Sequence, residues 1–295
     1  MRAGTCEALF RKRTKFALLG GAMAAFAAFP APAAPSGAIE VDLKLVIATD
    51  VSLSIKDEEA VLQRKGTADV FLDPDVVKAI QSGAFGRVAV ALLDWSSTRL
   101  DRVVLDWTIV QDRASAAALA EKIRNIPRTP GTRTSISGAL ERAFLLLNES
   151  DKDIVATRKV VDVSGDGPNN DGFSLQRMHD TTADNGITVN GLPIMDESSE
   201  GYYPDLDKYY AACVVAGKNA VAVVVRKYKD FGLAMRHKLV LEVSQNESQI
   251  KQTLEQLQAN PLLKTIAAGE NGPAILRPAK TYPGGCDKYG GYGGY

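Results

Sequence analysis

Apolar and polar positions follow two different patterns along this chain. One pattern predicts strands and the other predicts helices. Segments that contain a nearly continuous apolar run, such as 41–49, which ends in one, and 87–95, predict strands buried on both faces. Apolar residues spaced three and four positions apart, as in 135–148, predict amphipathic helices. Further strands are predicted at 102–107, 158–164, 187–193 and 220–225. The other predicted helices are 57–72, 74–81, 112–126, 174–185, 205–213 and 228–243.

The order of these elements predicts an α/β fold. Strands that alternate with helices over about 200 residues favour parallel pairing through crossover helices. We therefore expect a doubly wound, mostly parallel sheet with helices on both faces. The closely spaced strands 87–95 and 102–107 are expected to form one antiparallel hairpin at an edge. Ligands bind such sheets beyond the carboxyl ends of the strands, where strand order reverses, so the loops after the strands are the expected site.

Two regions lie outside this alternation. Residues 1–33 have a basic head, an uncharged stretch at 16–29 and an Ala-Pro-Ala ending, which is typical of a signal peptide cleaved near 33 or 38. The uncharged stretch is shorter than the ~20 apolar residues that span a bilayer, so cleavage is favoured over a retained anchor. Residues 39–244 form the expected domain, and 245–295 a helical extension with a Gly/Tyr-rich tail that is expected to be flexible.

Composition and charge narrow the class of protein. The chain has 295 residues, of which 45% are apolar and 24% charged, so wholesale disorder is excluded. Lys and Arg together equal Asp and Glu at 35 each, and removal of the basic head leaves an acidic remainder. An acidic chain lacks the basic patches that bind nucleic acid. We expect an exported protein, periplasmic or extracellular, with no membrane span once the signal peptide is removed.

The cysteines bear on the compartment. Cys6 lies in the expected signal peptide, which leaves Cys213 and Cys286 as an even pair in a chain bound for an oxidising compartment. A disulfide between them is favoured, and in the chain-entropy model a loop of this length stabilises the fold by ~4 kcal/mol. The alternative is two unpaired thiols.

Oxygen-bearing side chains follow the predicted strands at the expected site. Asp50, Ser52 and Ser54 form a D-x-S-x-S after the first strand, Thr134 precedes helix 135–148, and Asp166 follows strand 158–164. If the sheet is doubly wound, these two carboxylates and three hydroxyls converge. Hard oxygen ligands with few carboxylates suit Mg²⁺, whereas His and Cys do not occur here at zinc-site spacing. The alternative is structural: Asp50 and Ser52 cap the first helix, and Asp166 forms an Asx turn.

This pattern resembles the metal-ion-dependent adhesion site of von Willebrand factor A domains. The resemblance rests on the D-x-S-x-S at 50–54, on Thr134 followed by Ser-Ile-Ser-Gly-Ala-Leu, and on Asp166 within Ser-Gly-Asp-Gly. Ser137 stands where the family often has glycine. The segments 161–170, 186–193 and 205–213 also resemble a bacterial family of exported, uncharacterised, single-domain von Willebrand A-like proteins. The resemblance covers about residues 40–244 and is carried by motifs such as these.

The resemblance implies a ligand set and a function. Ser52, Ser54 and Thr134 would bind the cation directly, and Asp50 and Asp166 would act directly or through water. The implied cation is Mg²⁺, with Mn²⁺ or Ca²⁺ as alternatives. A Glu or Asp of a partner protein completes the coordination shell in that family. The implied function is therefore an exported, metal-dependent protein-binding module and not an enzyme.

Two other functions stay open on the sequence. One is a metal-assisted hydrolase, for which Asp94 or Asp171 would be the general base. The other is a scaffold whose metal site is vestigial. Asn169 and Asn170 are expected at the rim of the metal site, and the acidic loop 196–207 either is solvated or borders the metal face and selects a partner.

Overall fold

The computed structural model describes residues 37–199, 202–244, 255 and 275–289. The expected signal peptide and nearly all of the extension at 247–259 lie outside the described residues. The strands are β1 (Ile39–Asp50), β2 (Val88–Trp95), β3 (Asp101–Val110), β4 (Ile154–Gly165), β5 (Ile187–Pro193), β6 (Ala222–Val223) and β7 (Ile275–Leu276). The helices are α1 (Asp57–Asp69), α2 (Pro74–Gln81), α3 (Arg113–Arg124), α4 (Ile136–Glu149), α5 (Leu175–Asp184), α6 (Leu206–Tyr209) and α7 (Phe231–Val243).

The strands form one sheet in the order β3-β2-β1-β4-β5-β6-β7. Strand β1 pairs in parallel with both β2 and β4, and β4, β5 and β6 continue in parallel. Strand β3 lies antiparallel to β2 at one edge. The predicted doubly wound, mostly parallel sheet with a hairpin edge is therefore confirmed. The structure adds a second antiparallel pair at the opposite edge, β6 with β7. Of the strand predicted at 220–225, only Ala222–Val223 is present as β6, and the two-residue β7 is too short to show a period in the sequence.

The core lies on both faces of the sheet, and β1 contributes to each. Leu43, Leu45 and Ile47 pack on the face covered by α1, α2, α3 and α7. Val46 and Ala48 pack on the opposite face, against α4, α5 and the segment that follows α6. Burial on both faces explains the nearly continuous apolar run from Leu45 to Ala48. It also holds the carboxyl end of β1 in place. Within the described residues, no helix has the length and apolar character needed to cross a membrane.

Three predicted helices are α-helical over only part of the predicted range. In the one predicted at 228–243, Tyr228–Asp230 form a 3₁₀ turn that precedes α7. The helix predicted at 57–72 is α-helical only as far as Asp69, and Val70–Leu72 continue as a 3₁₀ helix. The helix predicted at 205–213 is the four-residue α6 followed by a π-helical turn, Tyr210–Val214. Such π turns are rare and often lie at functional sites. This one places Tyr210 under the end of β4.

The Gly/Tyr-rich tail, residues 282–295, was expected to be flexible, and for its described residues 282–289 this expectation is wrong. Tyr282 and Cys286 are buried, and the structure joins Cys286 to Cys213 in a disulfide. The Tyr209 hydroxyl donates a hydrogen bond to the Cys286 carbonyl oxygen at 2.9 Å. Tyr203, Tyr209, Tyr282 and Tyr289 pack ring against ring. Composition suggested a flexible tail, but aromatic packing and the cross-link give it a fixed position.

A buried cluster of charges, the internal ion cluster, joins β4 and β5 to α7. It consists of Lys238, Asp162, Glu242 and Asn190, all at most 5% exposed. The Lys238 ammonium lies 2.5 Å from Asp162 Oδ1 and is also paired with Glu242. Asn190 Nδ2 donates to Glu242 Oε1 at 2.7 Å. Burial opposes the charge of Lys238, but the two carboxylates outweigh it and raise its pKa. The cluster therefore supplies its own cation.

Candidate metal site at the carboxyl edge of the sheet

Strand order reverses between β1 and β4, because β1 leads to β2 on one side and has β4 on the other. This reversal is the position at which doubly wound sheets bind ligands. Strand β1 ends at Asp50, and β4 ends at Gly165, directly before Asp166. Asp50 is fully buried and Asp166 is 2% exposed. The fold thus brings two carboxylates that are far apart in the sequence into one crevice.

The loop after β1 links four of the five predicted ligands through hydrogen bonds. Asp50 Oδ1 accepts from the Ser52 backbone N–H at 2.7 Å, which forms an Asx turn. The Ser52 and Ser54 hydroxyl oxygens are 3.0 Å apart, and Ser54 Oγ donates to Asp166 Oδ1 at 2.8 Å. Helix α1 begins later, with Lys56 as its N-cap residue. The alternative in which Asp50 and Ser52 cap that helix is therefore wrong.

Thr134 lies beside this cluster, held by the loop that follows Asp166. Its backbone N–H donates to Asn170 Oδ1 at 2.9 Å, and its carbonyl accepts from the Asn170 N–H at 2.8 Å. A Cβ atom placed on Gly167 would lie 3.8 Å from Thr134 Oγ1. Asn169 Oδ1 accepts from the Ser137 N–H at 2.9 Å. Both asparagines thus lie at this edge and fix the loop that carries the threonine.

Gly165 permits the close approach of β4 to the end of β1. A Cβ atom at this position would lie 2.9 Å from the Tyr210 hydroxyl, 3.0 Å from Asp50 Oδ2 and 3.2 Å from the Trp95 ring. Contacts this short exclude any side chain. The glycine between β4 and Asp166 is therefore required by packing at the site.

The crevice is short of positive charge. Burial, and then the charge of Asp166, raise the pKa of Asp50 well above its usual range. Burial, together with the charge of Glu59, raises the pKa of Asp166 to about 6, against hydrogen bonds from Ser54 and the backbone that lower it. Asp50 Oδ2 is buried and has no hydrogen-bond partner among the described residues. A carboxylate oxygen left in this way is costly unless a donor or a cation meets it.

The donor set fits a divalent cation with oxygen ligands. Two carboxylates and three hydroxyls match the few carboxylates that Mg²⁺ takes in proteins, and the unpartnered Asp50 Oδ2 is an available ligand. Within the described part of the chain, no three His, Cys, Asp or Glu side chains cluster as a metal site. A cation at the crevice would therefore depend on the hydroxyls of Ser52, Ser54 and Thr134.

Some residues at this edge were not predicted from the sequence. Arg128 donates to the carbonyl oxygens of Ser52 at 3.0 Å and Ile55 at 2.6 Å, and so clamps the loop after β1. Glu59 accepts from Ser199 Oγ at 2.9 Å, which brings one end of the acidic loop 196–207 to this edge. Neither residue belongs to a recognisable motif. The packing of α1 against its neighbours places each of them at this edge.

The two candidate general bases are engaged by other groups. Asp94 Oδ2 accepts from Arg64 Nη2 at 2.7 Å, and burial raises its pKa in spite of that arginine. Asp171 Oδ2 accepts from the Thr98 backbone N–H at 2.9 Å and hydroxyl at 3.1 Å. These contacts give both carboxylates a structural role, in which Asp94 anchors α1 and Asp171 anchors the loop after β2.

Comparison with solved structures finds similar folds among von Willebrand factor A proteins. Proximal thread matrix protein 1 of the mussel byssus, with a zinc occupied MIDAS motif, is 14% identical with a TM-score of 0.49, over 69% of this chain and 46% of that one. The von Willebrand factor type A protein from Catenulispora acidiphila is 15% identical with a TM-score of 0.48, over 69% and 43%. The pilus adhesin SpaC from Lactobacillus rhamnosus GG is 14% identical with a TM-score of 0.49, over 72% and 30%.

The chain spans less than half the length of these three structures. A search of the curated proteins found no match. The family model described as "Protein of unknown function (DUF1194)" matches residues 40–247, which include all five predicted ligands and almost the whole described domain. This match covers well over half of the chain, and the protein belongs to that family.

Proposed function

We propose that this protein is an exported, divalent-metal-dependent binding module that captures an acidic residue of a partner protein. The observation that carries the proposal is the unpartnered Asp50 Oδ2 beside Asp166 at the strand-order reversal. Two buried carboxylates that have raised pKa values and no paired cation within the described ranges favour an ion from solution. Ser52, Ser54 and Thr134 supply neutral ligands around them.

The charge of the site supports a partner carboxylate. Asp50 and Asp166 together balance one divalent ion, and the remaining protein ligands are hydroxyls. Mg²⁺ keeps open or water-filled positions when protein supplies few carboxylates, so an outside oxygen ligand can enter. When bound, the ion would supply a Lewis-acidic contact to that carboxylate. The preferred ion is Mg²⁺, with Mn²⁺ or Ca²⁺ as alternatives.

Export is part of the proposal. The basic and apolar pattern of residues 1–33 and the Cys213–Cys286 disulfide both fit an oxidising compartment, periplasmic or extracellular. Secretion of a tagged full chain, with its mature N-terminus determined by mass spectrometry, tests this point separately. A chain retained whole inside the cell would contradict it.

Thermal unfolding tests metal binding directly. The protein is unfolded in chelator and then in excess Mg²⁺ or Mn²⁺. At ten times the dissociation constant the ion should add ~1.4 kcal/mol, which for this size of domain raises Tm by about 2–4 °C. Asp50→Ala should abolish the shift. Asp184→Ala, an exposed carboxylate at the end of α5, is the matched control and should keep it.

Partner capture tests the second half of the proposal. Proteins of the exported fraction are captured on the immobilised chain in Mg²⁺ and in chelator. We expect a partner retained in Mg²⁺ alone and lost with Asp50→Ala and with Thr134→Ala. Capture that is equal for both variants and the wild type would overturn the adhesion function, even if metal still shifts Tm.

A further inference from the structure

The loop between β4 and α5, residues 166–174, carries one predicted metal ligand and holds a second. Asp166 is its first residue and lies directly after the end of β4. Farther along, Asn170 exchanges two hydrogen bonds with the backbone of Thr134. The Asp171 N–H also donates to the Thr134 carbonyl oxygen, at 3.2 Å. The placement of this loop therefore sets the positions of Asp166 and Thr134 at the crevice.

A tyrosine hydroxyl joins the loop to the C-terminal segment 282–289. Tyr209 Oη accepts from the Asn169 backbone N–H at 3.2 Å and donates to the Cys286 carbonyl oxygen at 2.9 Å. Tyr209 and Asn169 are fully buried, and Cys286 is 7% exposed. A buried N–H without an acceptor is costly, so the loop depends on this hydroxyl. Tyr209 therefore connects the backbone of the loop to the backbone of the segment.

A carboxylate of the same segment holds the other end of the loop. Asp287 Oδ2 accepts from the Ser174 hydroxyl at 2.7 Å, and its Oδ1 accepts from the Leu175 backbone N–H, also at 2.7 Å. Ser174 is the N-cap residue of α5. The first N–H groups of a helix have no partner within it, and a negative charge beside them is favourable. Asp287 therefore fixes the junction at which the loop passes into α5.

Contacts that do not involve the loop hold segment 282–289 in place. Cys286 is bonded to Cys213, which lies on the π-helical turn that follows Tyr209. Tyr282 packs edge to face on Tyr209, with the ring centroids 5.2 Å apart. The segment is thus anchored to the domain by its own contacts and can act as a support for the loop.

We propose that Tyr209 and Asp287 are positioning residues of the metal site, and that segment 282–289 keeps the loop in the geometry that binds a cation. The inference rests on the proposed metal-binding function. Both residues act through the loop, Tyr209 through Asn169 and Asp287 through the start of α5. When their contacts are lost, the loop spends less time in its binding geometry, and the apparent dissociation constant rises in proportion. Cation affinity at the crevice thus depends on a segment that follows α7.

The test compares two tyrosines of the same aromatic cluster. Tyr209→Phe removes the bridging hydroxyl and keeps the ring. Tyr203→Phe is the matched control, because among the described residues its hydroxyl is bonded to those of Tyr282 and Tyr289 and not to the loop. Titration calorimetry of the full chain with Mn²⁺ measures the dissociation constant. We expect a rise of about fivefold or more for Tyr209→Phe, of about threefold for Asp287→Asn, and a change below about twofold for Tyr203→Phe.

Hydrogen–deuterium exchange in chelator supplies a readout that does not need the ion. Peptides that cover 166–174 should exchange about tenfold faster in Tyr209→Phe than in the wild type, and at the wild-type rate in Tyr203→Phe. Peptides of β1 should exchange at the wild-type rate in both variants, which shows that both stay folded. A purely structural role of Tyr209 would speed exchange across the whole domain and leave the dissociation constant unchanged.

The negative outcomes separate this inference from the proposed function. Asp50→Ala supplies the blank for Mn²⁺ bound outside the crevice. Equal affinity in the wild type and Tyr209→Phe, or unchanged exchange in the loop, would overturn this inference alone. Equal loss of affinity in the two tyrosine variants would also contradict it, since the effect would then belong to the aromatic cluster as a whole. A wild type that binds no Mn²⁺ would overturn the proposed function and this inference together.

Discussion

Two pairs of buried carboxylates lie in this domain, and they differ in whether the fold supplies a cation. In the internal ion cluster, Asp162 and Glu242 share the ammonium of Lys238. At the carboxyl edge, Asp50 and Asp166 are as deeply buried, but among the described residues they have only hydroxyl and backbone donors around them. Both pairs lie along or beside β4, and the lysine of the first pair comes from α7. The difference fits our proposal that the first pair serves stability and that the second binds an ion from outside.

Removal of the internal cation should have the largest effect. Lys238→Met leaves two buried carboxylates without their partner, and breaking a buried ion pair in this way costs about 3–5 kcal/mol. Chemical denaturation measures the loss. Lys78→Met, on the exposed face of α2, is the control and should change the free energy of unfolding by less than about 0.5 kcal/mol. A loss below about 1 kcal/mol for Lys238→Met would mean that the cluster is not self-neutralising.

The pH dependence of stability sharpens the comparison. Burial raises the pKa of Glu242 to about 7, in spite of Lys238, from 4.5 in the unfolded chain. The folded state therefore holds a proton that the unfolded state releases, and this contribution is present below pH 4.5 and lost as pH rises through about 7. Between pH 5 and 8 the wild type should lose stability relative to Glu242→Gln, by on the order of 1 kcal/mol. Denaturation curves at both pH values measure this difference, and a constant difference would contradict it.

The smallest expected effect has the opposite sign. Asp166→Asn removes one of two crowded carboxylates, so in chelator the free energy of unfolding should rise by about 1 kcal/mol, while the response to Mg²⁺ disappears. Asp162→Asn is the matched control in the internal ion cluster. It deprives Lys238 of a partner, so its stability should fall in the same denaturation assay. Destabilisation of equal size by both substitutions would erase the contrast between the two regions.

The convergence of side chains at the carboxyl edge could be predicted from the sequence, because Asp50, Ser52, Ser54 and Asp166 each lie within a few residues of the end of a predicted strand. The D-x-S-x-S follows directly on an apolar run, and Asp166 follows another, so placing the strands also places the ligands. The internal ion cluster could not be anticipated in this way. Lys238 lies in a stretch with the pattern of an ordinary helix, and its partners come from β4 and from the next helical turn. Only the packing of α7 on the sheet shows that this lysine is buried.

The contacts of Arg128 and of residues 275–289 could not be predicted from the sequence either. Arg128 reaches the carbonyl oxygens of Ser52 and Ile55 from a loop with no motif, because α1 and α3 pack side by side. The position of residues 275–289 depends on contacts with the π-helical turn and on a disulfide between residues 73 positions apart. Periodicity reports the neighbours of a residue along the chain. It carries no information on pairings over such distances.

The Cys213–Cys286 disulfide has a consequence for proteolysis. Residues 275–289 include β7, which pairs with β6 at the edge of the sheet, and the cross-link ties this segment covalently to the π-helical turn. A protease cut at any peptide bond between 245 and 274 would therefore yield two polypeptides that stay one molecule until a reductant is added. On a gel, such a nicked protein would migrate whole without thiol and as two bands with it.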